Sequence, residues 1–138
     1  MGHRLRYVVN KIIKLTGMEN QEVTRPWGSF KILHKHDKYW QKIITVKPYQ
    51  RLSLQYHKHR NEYWVVESGE GTVQIDDKVY AAKEGSTFFI PIGALHRVTN
   101  GTIVGISAPH REDFVFREIA IGMVDENDIM RVEDDYGR

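Results

Sequence analysis

From about residue 20 onward, apolar and polar positions alternate in short runs broken by turn residues, a period of two that predicts strands rather than helices. Residues 29–33 and 39–46 flank HKHDK as a hairpin, and Pro48 ends the second of these strands. Strands over 51–57, 62–66 and 72–75 follow, separated by HRN and ESGEG. Asp76-Asp77 turns the chain into 79–82, and 87–90 and 96–99 come next. Asn100-Gly101 is a two-residue hairpin signal leading into 102–107, and 114–119 reads as a further strand. The tail DENDIMRVEDDYGR is acidic and is expected to wrap the surface with at most one helical turn. Many short strands at close spacing predict an all-β sandwich or barrel, and a double-sheet jelly roll would protect its edges and enclose a cavity.

The opening MGHRLRYVVNKIIKLTG breaks this pattern. Leu5, Val8, Val9, Ile12 and Leu15 lie near one helical face, Gly17 is a stop, and the charges before Glu19 are all positive. We expect a basic segment over 1–20, helical in part and packed on the barrel or on a partner subunit, followed by one β-domain over 21–138. A membrane-surface helix is the competing reading, but the segment lacks the continuous apolar core of a secretory signal.

Composition narrows the chemistry. The 138 residues suit one domain, and 41% hydrophobic content with three Trp, seven Tyr and five Phe supports a core. A mean hydropathy of -0.50 and the lack of any apolar run of about 18 residues give no reason to expect a membrane span. A net charge of +2 with both signs interspersed makes no case for nucleic acid. There is no cysteine, so any metal must be held by nitrogen and oxygen. The cytoplasm is the default location.

Two stretches carry that chemistry. In GSTFFIPIGALHRVTN, Gly85, Pro91, Gly93, His96 and Asn100 stand at fixed spacing, and QYHKHRNEYWVVESG lies upstream between Gln55 and Gly69. The pair resembles the two metal-binding motifs of the cupins, implying a double-stranded β-helix barrel with a metal site inside. In the first cupin motif two ligands one residue apart precede a Glu, and a Gly follows that Glu after six residues. Glu62 and Gly69 meet the second condition, and counting back from Glu62 selects Gln55 and His57. The resemblance therefore implies Gln55, His57, Glu62 and His96 as ligands, with His59 in reserve. Mixed N and O donors suit Zn²⁺, and Mn²⁺, Co²⁺ or Fe²⁺ also fit. His34 and His36 fall in the expected hairpin turn and are read as surface residues, while His3 and His110 lack a motif.

RPWGSF at 25–30, ITVKPYQRLSLQYHKHRNEYW at 44–64, IPIGALHRVTN and RVEDDYGR are similar to the cupin of type II mannose-6-phosphate isomerases. The resemblance covers about residues 25 to 138. In that family the domain usually follows a mannose-1-phosphate guanylyltransferase, for which this chain has neither room nor a Gly-rich phosphate loop. It implies an isomerase interconverting mannose 6-phosphate and fructose 6-phosphate through an enediol, with a small sugar phosphate as substrate. Arg60, at the barrel mouth, is the expected catalytic cation, and His59 is the nearest candidate for the proton carrier, with a metal-bound water competing. Arg51 and Lys58 are the candidates for holding phosphate. Arg97 should point away from the face of His96. Lys58 and Tyr63 stand where the family often has His. A non-catalytic sugar-phosphate-binding module and an Fe(II) oxygenase are the rival functions, and a homodimer is expected.

Overall fold

The computed structural model describes residues 20–101 and 111–137, and all of the regular structure there is β. The eleven strands are β1 (Glu22–Arg25), β2 (Gly28–His36), β3 (Tyr39–Val46), β4 (Leu54–Tyr56), β5 (Arg60–Ser68), β6 (Glu70–Ile75), β7 (Lys78–Lys83), β8 (Thr87–Ile90), β9 (His96–Thr99), β10 (Phe114–Gly122) and β11 (Met130–Glu133). They form two antiparallel sheets, ordered β1-β2-β3-β10-β5-β8 and β11-β4-β9-β6-β7. The expected helix in 1–20 and the strand over 102–107 lie outside the described residues.

Period-two alternation decides which side chains meet between the sheets. In β3 the inward row is Trp40, Lys42, Ile44 and Val46; in β10 it is Phe114, Phe116, Glu118 and Ala120; in β5 it is Arg60, Glu62, Trp64 and Val66. Register sets Phe116 against Ile44 and Val66, and Glu118 against Lys42 and Trp64. One end of the interior is thus aromatic and aliphatic, joined by Val73 and Val98 from the second sheet. The other end is ionisable. Asn100 fastens the apolar end: its Nδ2 donates to Val46 O at 2.8 Å and Glu112 O at 2.9 Å, and its Oδ1 accepts from Arg111 Nε at 2.7 Å.

Several expectations need correction. β2 runs on to His36, so the turn is Asp37-Lys38 alone, although His34 and His36 are exposed as expected. The strand expected over 51–57 shrinks to Leu54–Tyr56, with Arg51 joined to the sheet by an isolated bridge to Thr99. β1 was not expected. Nor was β11, because the acidic tail pairs with β4 instead of forming a helical turn. Its Glu133 takes Arg97 Nη1 at 3.0 Å, so Arg97 does face away from the interior, as expected, yet is buried beneath the tail. Between β10 and β11, residues 123–129 cross the open end of the barrel. Gly122 starts this strap at φ 134°, where an added Cβ would lie 2.4 Å from His59 O.

Candidate metal centre

Each sheet contributes to one buried cluster. Glu62 points inward from β5, His96 points inward from β9, and His57 sits just past β4 where the chain bends toward β5. His57 Nε2 lies 3.5 Å from Glu62 Oε2, and His96 Nε2 lies 3.6 Å from Glu62 Oε1. One ligand atom from each of the three falls within 4.8 Å of the others. His57 is 3% exposed, Glu62 0% and His96 1%, so all three are buried.

Hydrogen bonding fixes the tautomers. His57 Nδ1 donates to Asp128 O at 2.6 Å and His96 Nδ1 to Ala94 O at 2.9 Å. A carbonyl only accepts, so both protons sit on Nδ1 and both Nε2 lone pairs face Glu62. Burial, reinforced by Arg60 and His96, lowers the His57 pKa to about 4, and burial does the same to His96. Both rings are neutral at pH 7. Among the described residues, His96 Nε2 is the one buried side-chain nitrogen or oxygen without a hydrogen-bond partner. Two neutral imidazole nitrogens beside a carboxylate fit a divalent cation, and the orphaned His96 Nε2 is otherwise unaccounted for. Glu62 also accepts from Arg60 Nε at 3.0 Å and Trp64 Nε1 at 3.3 Å. Arg60 Nη2 stands 3.3 Å from His57 Nε2, competing for the lone pair a cation would take.

Gln55 is the cross-strand partner of His96 and accepts from Ser53 Oγ at 3.0 Å. With His57 and Arg60 it lines a cavity of about 120 Å³ that opens past Arg25, Glu126 and Arg131. Three of the expected ligands therefore meet in one cluster and the fourth stands beside it. The expected second sphere is different. Lys58 and His59 are exposed outside the cavity, and their amides donate to the Asp128 carboxylate at 2.9 and 3.0 Å. Arg51 is bound by Asp135 at 2.6 and 2.9 Å and does not line the cavity either. β4 is only three residues long, so the strand alternation that would turn Arg51 and His59 inward reaches neither of them.

The cavity holds groups that sequence reasoning missed. Glu118, from β10, accepts from Trp40 Nε1 at 3.0 Å. Burial, and then the charge of Glu62, pushes its pKa up to about 7. Lys42, from β3, pairs with Glu126 of the strap at 2.9 Å. Both were detectable as single charges on the buried face of an otherwise apolar strand.

A family model described as mannose-6-phosphate isomerase C-terminal matches residues 14–134. The chain belongs to this family. Relatives of this family include the alginate biosynthesis protein AlgA of Pseudomonas aeruginosa, 42% identical over 118 residues, covering 85% of this chain and 23% of that protein. The mannose-1-phosphate guanylyltransferase of Escherichia coli is 38% identical over 120 residues, covering 86% and 23%. The chain spans about a quarter of the length of these relatives. A Klebsiella pneumoniae protein with a double-stranded β-helix domain superposes with a TM-score of 0.65 at 17% identity, over 87% of this chain and 95% of that one. The expected cupin barrel is therefore the fold of the described residues.

Proposed function

We propose that this cupin is a metal-dependent mannose-6-phosphate isomerase. The observation that carries the reading is the His57–Glu62–His96 cluster with its unpartnered His96 Nε2, in a chain of this family. His57, His96, Glu62 and Gln55 would hold one divalent ion, Zn²⁺ by preference. When bound it supplies Lewis acidity toward the vicinal oxygens at C1 and C2 of the sugar. Arg60 is oriented by Glu62 and by Asp125 O at 3.1 Å, its guanidinium 4.5 Å from the Trp40 ring centre. It is placed to hold the oxygen that gains negative charge as the enediolate forms.

Isomerisation takes a proton from C2 and returns one to C1. Glu118 lines the cavity and His59 does not, so we assign this transfer to Glu118. A carboxyl with a pKa of about 7 can take and give a proton near neutrality. The two-His-one-carboxylate set favours one second reading, an Fe(II) oxygenase, which an oxygen electrode would expose.

The test is isomerase activity on mannose 6-phosphate with metal-stripped protein, restoring Zn²⁺, Mn²⁺, Co²⁺ and Fe²⁺ in turn. Metal-dependent formation of fructose 6-phosphate, lost in His96→Ala, supports the reading. No turnover by protein shown to hold metal overturns it, leaving a sugar-phosphate-binding module. Sedimentation would test the expected homodimer.

A further inference from the structure

We propose that Arg25, Lys42 and Arg131 form the phosphate subsite of this cavity, and that Glu126 occupies Lys42 until a substrate phosphate displaces it. The proposal rests on the sugar-phosphate reading of the site but not on turnover.

Charge and stacking together locate the subsite. The Arg60 guanidinium lies 4.5 Å from the Trp40 ring centre, and Lys42 Nζ lies 3.8 Å from the same ring. Lys42 Nζ is also 4.8 Å from the Phe30 ring centre, and the Arg25 guanidinium is 5.3 Å from it. Cations and rings thus alternate from the metal cluster toward the exposed end of the cavity. An aromatic face holds Arg25 and Lys42 without using up their hydrogen-bond donors, of which Arg25 gives one to Thr24 O and Lys42 one to Glu126. Arg25 and Lys42 beside one ring repel each other unless negative charge joins them.

The charge balance has the sign a phosphate needs. Four cations, Arg25, Lys42, Arg60 and Arg131, line the cavity against two carboxylates, Glu118 and Glu126. Arg60 is already paired with Glu62 at 3.0 Å, so the charge left for an anion comes from Arg25 and Lys42, which face the single carboxylate of Glu126. This positive charge sits at the mouth, because Glu118 is deep and, among the described residues, Glu126 is the one acid lining the outer part. Glu126 is 45% exposed while Lys42 is 8% exposed. The carboxylate can swing into water at little cost, whereas the lysine stays where it is and needs an anionic partner. Arg25 comes from β1 and Arg131 from β11, the edge strands of opposite sheets, so the subsite closes across the gap between them.

Calorimetry on the full metal-loaded chain would compare mannose 6-phosphate with mannose, and inorganic phosphate as a competitor. Arg25 is exposed, so Arg25→Gln should fold normally, with its melting temperature and metal content as controls. We expect this variant to bind mannose 6-phosphate about tenfold more weakly and mannose unchanged, the cost of one charge-assisted contact. Glu126→Gln should bind mannose 6-phosphate and inorganic phosphate more tightly, which a merely structural Glu126 would not do. Unchanged affinity in folded Arg25→Gln, weaker binding in Glu126→Gln, or wild-type protein that ignores the phosphate would each overturn the subsite. Phosphate-dependent binding without turnover would leave it standing while the isomerase reading fell. Turnover with an unaffected Arg25→Gln would do the reverse.

Discussion

Glu118 and His59 make opposite claims on one proton, and each can be removed alone. Glu118→Gln keeps the shape and the Trp40 contact but cannot ionise. It is expected to lower kcat about a hundredfold with metal content unchanged, whereas His59→Ala leaves kcat close to wild type. The reverse pattern in steady-state kinetics would return the proton to His59. The metal-free protein should also show opposing titrations. Lowered pKa values at His57 and His96 mean that the unfolded chain binds more protons between about pH 4 and 6.5. Their contribution to stability is therefore present above pH 6.5 and lost as pH falls through 4. Glu118 works the other way. The folded chain keeps its proton between 4.5 and about 7, so that contribution is present below 4.5 and fades as pH rises through 7. Two histidines outweigh one glutamate, and urea midpoints of metal-free protein should fall from pH 6 to pH 4. Metal content should fall over the same range as both rings protonate.

At the scale of elements, the strap at 123–129 does more than cover the cavity. Asp128 accepts from His57 through its carbonyl and from two amides through its carboxylate, and Glu126 holds Lys42. Asp128→Ala removes the carboxylate and frees the bend that carries His57. Metal affinity is expected to drop about tenfold, read by competition with a chelating dye, because outer partners of a ligand set its orientation. The strands were legible where alternation was long and regular: β3, β8 and β9 lie at the residues the pattern selects. β1 and β11 were not legible. Each is four residues with no fully buried position, so no hydrophobic period marks them and only pairing with a neighbour makes them strands. His57, Glu62 and His96 were readable because motif spacing survives an irregular backbone. Arg51 and His59 were not legible in the same way, because both fall outside β4 and no strand alternation sets their directions.

For the whole molecule, the metal cluster joins the two sheets, with Glu62 on one and His96 on the other. A bound ion should therefore act as a cross-link that only the folded state can offer. At a free Zn²⁺ concentration one hundred times Kd, stability should rise by about 2.7 kcal/mol, and a chelator should reverse the gain. A midpoint in chemical denaturation that ignores metal would place the ion elsewhere.

The strap also has a position in time. Ribosomes deliver a protein from its N-terminal end, and Asp125 to Asp128 emerge after His57, Glu62, His96 and every strand from β1 to β10. Until they do, His57 Nδ1 and Arg60 Nη1 lack their carbonyl acceptors and Lys42 lacks its carboxylate. A nascent chain can collapse into two sheets before it can orient its ligands. Competence to capture the right ion is thus deferred until ten of the eleven strands that will surround that ion have been made.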